Sequence, residues 1–127
     1  MSVELGPRLK TVASFLEGVT LLCDVGSDHA YLPVYAIQQG LITNAIAGEV
    51  VKGPYESATQ TVQDYVLNDK ISVRLGDGLD VVTSEDEVTA ISICGMGGEL
   101  IARILEQGRV NGTLTGKERL VLQPNVA

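Results

Sequence analysis

The sequence predicts an α/β domain with a mostly parallel sheet, and three observations carry this. Short apolar runs alternate with segments of helical spacing along the whole chain, the pattern of strands joined by right-handed helical crossovers. Each apolar run ends in glycine or polar residues: Asp24 and Gly26, Glu49, Asp77, Gly95 and Gly97, Gln123 and Asn125. The first run leads through a glycine turn, Asp24-Val25-Gly26-Ser27-Asp28-His29, into a helical segment. A parallel sheet holds nucleotide-like ligands at its carboxyl edge through such a unit.

In chain order, Leu9, Val12, Ala13, Phe15 and Leu16 predict a helix over Pro7 to Glu17, ended by Gly18. Leu21 to Val25 is the first strand. Ala30 to Gln39 is a helix with Pro33 near its start, where proline is tolerated, and Gly40 at its C-cap. Asn44 to Gly48 is the second strand, ending at Glu49-Val50. Pro54 opens a helix reaching Val66, with Tyr55, Ala58, Val62 and Tyr65 or Val66 on one face. Ile71 to Leu75 is the third strand, followed by Gly76-Asp77-Gly78-Leu79 and a short helical turn to Thr83. Thr89 to Ile93 is the fourth, running into a glycine turn, Cys94-Gly95-Met96-Gly97-Gly98. Glu99 to Gln107 is a helix with Leu100, Ile101, Ile104 and Leu105 inward. Leu120 to Leu122 is the fifth strand. The sequence stops two residues after Asn125, just past a strand end expected to carry function, and so reads as a piece of a longer protein.

The 127 residues suit one domain, 1–127. Trp is absent and Phe15 is the only Phe, so aliphatic side chains must build the core. A net charge of −7 argues against a continuous basic groove, and local pairs such as Arg8 and Lys10, Arg103 and Arg109, or Lys117 and Arg119 are sparse. Cys23 and Cys94 fit no disulfide framework and read as buried small hydrophobes. With no apolar stretch long enough for a membrane span and no secretory leader pattern, the expectation is a cytoplasmic protein with no membrane partner.

The strand ends carry the chemistry as a set. Gly26 permits a sharp turn and close approach of a ligand. A dinucleotide fingerprint would have a second glycine where Asp28 stands. A carboxylate there repels a diphosphate and suits a cation. S-adenosylmethionine has a sulfonium, an ammonium and no phosphate, so Asp24 and Asp28 could orient its amino-acid end. Asp28 as a helix cap and Asp24 as a turn acceptor are equally weighted structural alternatives. Glu49, 23 residues beyond Gly26, suits ribose hydroxyls, and Asp77 between two glycines suits an adenine amine. Gly95, Gly97 and Gly98 open space for a substrate base, with Met96 able to pack against base or cofactor. The lone His29 reads as structural or as a cofactor contact. No metal site is expected, since the Cys and His spacing matches no zinc pattern.

Five blocks in order resemble the bacterial tRNA (adenine-22-N1)-methyltransferase family, TrmK: Asp24 to Pro33, Gly48 to Pro54, Gly76 to Leu79, Ile93 to Gly98 and Leu122 to Asn125, with the Arg8-Leu9 to Val12-Ala13 helix before them. The resemblance implies a class I, Rossmann-like methyltransferase, with helices on both faces of its sheet, that uses S-adenosyl-L-methionine. It implies that Asp24, Gly26, Ser27, Asp28 and His29 hold the amino-acid end of the cofactor. Glu49 would lie at the ribose and Asp77 and Gly78 at the adenine, with Val50, Cys94 and Gly95 as further cofactor-site residues. Gly95, Met96, Gln123 and Asn125 become the candidate catalytic residues facing the target base. Members of the family continue into further strands and a helical domain thought to grip tRNA, which this chain lacks; tRNA is the implied partner, through that region.

Adenine N1 has an in-plane lone pair, so it can attack a sulfonium methyl without an obligatory base. The expected mechanism is positioning and electrostatic support, on a base that is unpaired or flipped. Two rival readings are a nicotinamide-dinucleotide oxidoreductase, disfavoured by Asp28, and an inert cofactor-binding module.

Overall fold

The computed structural model describes residues 2–125. In chain order the elements are α1 (Pro7–Ser14), β1 (Val19–Val25), α2 (Tyr31–Gln38), β2 (Ile42–Glu49), α3 (Lys52–Asp64), β3 (Ile71–Leu75), a 3₁₀ turn (Gly78–Val81), β4 (Ala90–Gly97), α4 (Gly98–Asn111) and β5 (Arg119–Asn125). The five strands form one sheet in the order β3-β2-β1-β4-β5, every pair parallel. The expected α/β architecture with helices on both faces is therefore present.

Strand alternation sorts the core into two layers. Leu22, Ala45, Ala47 and Ala90 point to the face covered by α1, α2 and α3; Cys23, Val25, Ile46, Ile91 and Ile93 point to the face covered by the 3₁₀ turn and α4. The sheet grows outward from β1 in two directions, toward β3 and toward β5. Crossovers of one hand must then lie on opposite faces, as these do. The reversal falls between β1 and β4, where a parallel sheet opens a crevice at its carboxyl edge.

Several boundaries differ from the sequence expectation. α1 stops at Ser14, because the Phe15 and Leu16 amides donate to the carbonyls three residues back and tighten the end. Leu16 is buried outside the helix and Phe15, 60% exposed, is not part of the core. α2 ends in a double cap: Gly40 at φ +72 donates to Ile37 and Leu41 to Ala36. α3 begins at Lys52, two residues before Pro54, whose missing N–H costs nothing in a first turn. Val66 at φ +57 is exposed, not on the packed face. The largest difference is β4, which does not stop at Ile93 but runs to Gly97 beside a lengthened β5. Cys94 is half-buried rather than fully buried, and both cysteines are free. Leu100 is not inward but exposed on α4.

Candidate functional site

The turn after β1 is fixed by β2. The amides of Gly26 and Ser27 both donate to the Gly48 carbonyl, at 2.9 and 3.1 Å. Gly26 sits at φ +68, a conformation that glycine reaches without a Cβ clash. Asp28 and Ala30 also have positive φ, 63° and 60°, so the loop from β1 to α2 carries local strain of the kind that concentrates at binding sites. Neither Asp28 nor any other side chain caps α2.

Asp24 points to the α1–α3 face and is buried. Its two oxygens accept from the hydroxyls of Ser27 and Ser92, each at 2.7 Å. The turn-acceptor expectation thus becomes a pair of hydroxyl bonds. Burial pushes the Asp24 carboxyl up to about 6, although both hydroxyl donors favour the anion. Glu49 at the end of β2 is 5% exposed. It accepts from the Asp28 backbone N–H, while its Oε2 has no partner. Burial lifts this carboxyl to about 7; the Asp28 amide pulls it down, and the charges of Asp24 and Asp28 push it further up. Asp28 itself is largely exposed, 3.9 Å from His29, whose ring stacks on Tyr31 with centroids 5.1 Å apart.

Two cavities open along this edge. One, about 330 Å³, is lined by Asp24, Ser27, Asp28, Cys94 and Gly95, with Arg8, Leu9 and Leu32. The other, about 260 Å³, is lined by Val50, Asp77, Gly78, Gly48 and Gly76, with Leu100, Arg103 and Ile104. Gly48 and Gly76 sit close to Val81: a Cβ on either would come within 3.0 to 3.1 Å of its methyl groups, which would have to shift to make room. Asp77 lies 3.8 Å from Arg103. A further cavity of about 400 Å³, lined by Thr83, Glu87, Thr113, Lys117 and Glu118, lies at the opposite edge of the sheet and contains none of the predicted residues.

Gly95 is where β4 departs from regular pairing. Cys94 aligns with Gln123 and Met96 with Pro124, which leaves Gly95 as an extra residue, at φ +73. Side chains of β5 satisfy its backbone. The Gly95 amide donates to Gln123 Oε1 at 3.1 Å, and Asn125 Nδ2 donates to the Gly95 carbonyl at 2.7 Å. Arg8 also donates to Gln123 Oε1. Gln123 and Asn125 line neither cavity; they hold this bulge. The bulge reverses the side-chain alternation, so Met96 packs on the α4 layer with Ile93 instead of opposite it.

The predicted residues thus gather at one edge, but Glu49 and His29, like Gln123 and Asn125, line neither cavity. Cavity-lining residues that sequence reasoning did not single out are Arg8, Leu9, Val25, Leu32, Gly48, Gly76, Leu100, Arg103 and Ile104. For Leu100, Arg103 and Ile104 the signal was available in their one-turn spacing on α4. Burial pushes both thiols, Cys23 and Cys94, up to about 12, which removes them as thiolate nucleophiles. Among the described residues no His, Cys, Asp and Glu side chains gather in a metal-binding group, and no helix is long and apolar enough to cross a membrane. The edge can take an elongated ligand with hydroxyl donors for Glu49 and a cationic group near Asp24 and Asp28. Three carboxylates there disfavour a diphosphate.

The family model for tRNA (adenine(22)-N(1))-methyltransferase matches residues 22–127. The chain is 52% identical over 124 residues to the tRNA (adenine(22)-N(1))-methyltransferase of Bacillus subtilis, covering 98% of this chain and 51% of that protein. The crystal structure of the B. subtilis M1A22 tRNA methyltransferase TrmK superposes with a TM-score of 0.91 at 50% identity, over 97% of this chain and 51% of that one. M. capricolum TrmK, solved with S-adenosyl-homocysteine, gives a TM-score of 0.78 at 34% identity, over 80% and 46%. A Streptococcus pneumoniae protein solved with S-adenosyl-L-methionine gives 0.91 at 53% identity, over 97% and 56%. The chain spans about half the length of these relatives.

Proposed function

The chain belongs to the tRNA (adenine(22)-N(1))-methyltransferase family, and from that premise we propose that it is the cofactor-binding part of an enzyme that methylates N1 of adenine 22 in tRNA. S-adenosyl-L-methionine, when bound, supplies an electrophilic methyl group. The residues present fit it. Glu49 carries the reading: a carboxylate 5% exposed, one oxygen of which has no partner, leaves an acceptor for a ligand hydroxyl, and such an orphan is costly until filled. Asp24 and Asp28 supply negative charge for the ammonium end. Asp77 and Gly78, with Val50 beside them, bind the adenine. Ser27 acts through Asp24, and His29 shields the turn by stacking.

Toward the target base, the Gly95 bulge supplies approach without a side chain. Gln123 and Asn125 hold that bulge, so they act by positioning. The adenine N1 lone pair would take the methyl, the N–C bond forming as the cofactor's S–C bond breaks and S-adenosylhomocysteine leaves, and the acidic edge would support the cationic product electrostatically. A net charge of −7 is a poor match for a polyanion, and we infer that the remaining length of the relatives supplies the tRNA grip. A tRNA substrate accords with a cytoplasmic enzyme.

Calorimetric titration with S-adenosyl-L-methionine, with NADH as control, tests the reading. Binding of the first only, weakened tenfold or more in Glu49→Ala and Asp77→Ala, is the expected result. Binding of NADH alone returns the oxidoreductase reading. Binding without methyl transfer to tRNA by a protein of the relatives' full length returns the inert module.

A further inference from the structure

The two cavities at the sheet edge share only two lining residues, Gly26 and Met96. Gly26 forms the floor between them. Met96 lies over that floor: a Cβ added to Gly26 would collide with the Met96 Cε methyl. One side chain therefore separates a cavity with carboxylates and Arg8 from a cavity with Asp77 and Arg103. We propose that Met96 is the gate of this site: its thioether closes the gap above Gly26 and swings aside when a single ligand spans both cavities. The proposal rests on the cofactor reading above.

Geometry and side-chain chemistry converge on Met96 as the moving part. The Gly95 bulge reverses alternation at this one point and so delivers Met96 to the α4 layer. The bulge is held by Gln123 and Asn125, so the backbone under the gate is fixed while the side chain is not. Methionine is unbranched, with three rotatable side-chain bonds, and changes rotamer at small cost. The other wall of the gap is backbone, hung from Gly48 by two hydrogen bonds. Moving that wall would break the turn; moving Met96 breaks no hydrogen bond. A β-branched side chain at this position would be stiff at χ1 and unable to clear the gap.

The chain has two methionines, Met1 and Met96, so labelling their methyl groups with ¹³C gives two resonances, and Met96→Leu identifies the gate's. The ¹³Cε shift follows the rotamer about the Cγ–Sδ bond. Titration with S-adenosylhomocysteine is expected to move the Met96 resonance to a new position. In stopped flow, Met96→Ala should associate at least fivefold faster than the wild type and Met96→Ile at least fivefold slower, with opposite signs that a purely structural role would not produce. The wild-type resonance decides the matter if a variant fails to fold. An unmoved resonance while calorimetry shows the ligand bound overturns the gate, as do equal association rates in all three proteins. Absence of binding to the wild type overturns the cofactor reading, and the gate with it.

Discussion

Gly26 has two reasons to be glycine. Its φ of +68 strains any L side chain, and the space a Cβ would take is occupied by Met96. Gly26→Ala should cost about 1–2 kcal/mol of stability from backbone strain alone, measured by urea denaturation, and weaken S-adenosyl-L-methionine binding by more than tenfold. Glu49 makes a prediction about pH. Its folded-state value and that of Asp24 are raised, to about 7 and about 6. Their contribution to the ligand-free fold is full below about pH 4, where the unfolded carboxyls are also protonated, and is lost as pH rises through these raised values. The urea midpoint should therefore be higher at pH 5 than at pH 8, and the difference should shrink in Glu49→Gln. Ligand binding should run the other way: hydroxyl donors need the Glu49 anion, so affinity should fall from pH 8 to pH 6. Acidic residues at the strand ends are legible in the sequence, but the partner of Asp24 is not. Ser92 looks like any strand hydroxyl until β4 is placed beside β1. Arg8 was visible as a cation, yet only the docking of α1 against β5 brings it to the site.

Among the elements, β3 is tied to the segment before β4 by a two-pronged ion pair. Arg74 donates to Asp86 at 2.7 and 3.0 Å and to the Val81 carbonyl at 2.9 Å, and the Thr83 amide also donates to Asp86. The Arg74 guanidinium bond comes first in holding the Asp86 carboxyl down at about 2. With a depressed folded value, this contribution is present above about pH 4 and is lost as pH falls through about 2. Asp86→Asn should cost about 1.5–3 kcal/mol at pH 7, the range for hydrogen bonds to charged groups, and should flatten the acid limb of stability below pH 4. Helix and strand existence was readable from periodicity, because 2.0 and 3.6 residue repeats are local properties. The extension of β4 was not. Three glycines within Cys94 to Gly98 read locally as a turn, whereas the strand persists because Gln123 and Asn125, some thirty residues on, satisfy the bulge. The inward reading of Leu100 failed because the buried face of α4 is centred on Ile101, Ile104 and Gly108, which leaves Leu100 at its margin beside the cavity.

For the molecule as a whole, alternation of strand and helix was enough to give a parallel sheet, and the residues closing each strand fall together at its carboxyl edge. The order β3-β2-β1-β4-β5 was not spelled out locally; it is what makes five separated strand ends neighbours. A ligand bridging both cavities touches β1, β2, the β3 exit, β4 and α4, and so should stabilise the whole unit. At a hundred times its dissociation constant, S-adenosyl-L-methionine should add about 2.7 kcal/mol, visible as a rise of several degrees in Tm, with the Glu49→Ala protein lacking it.

The contacts between α1 and β5 have a further consequence for the order of events during synthesis. Arg119 donates to the carbonyls of Phe15 and Glu17, closing the chain after the end of α1, and Arg8 donates to Gln123. Each of these pairs is separated by more than a hundred residues. At about 5–20 residues per second of translation, the first helix waits roughly 5–20 seconds on the ribosome before the strand that secures it exists. α1, made before β1 to β5, is thus among the last elements to be locked, and a nascent chain arrested before Arg119 should expose α1 to protease while β1 to β3 are already protected.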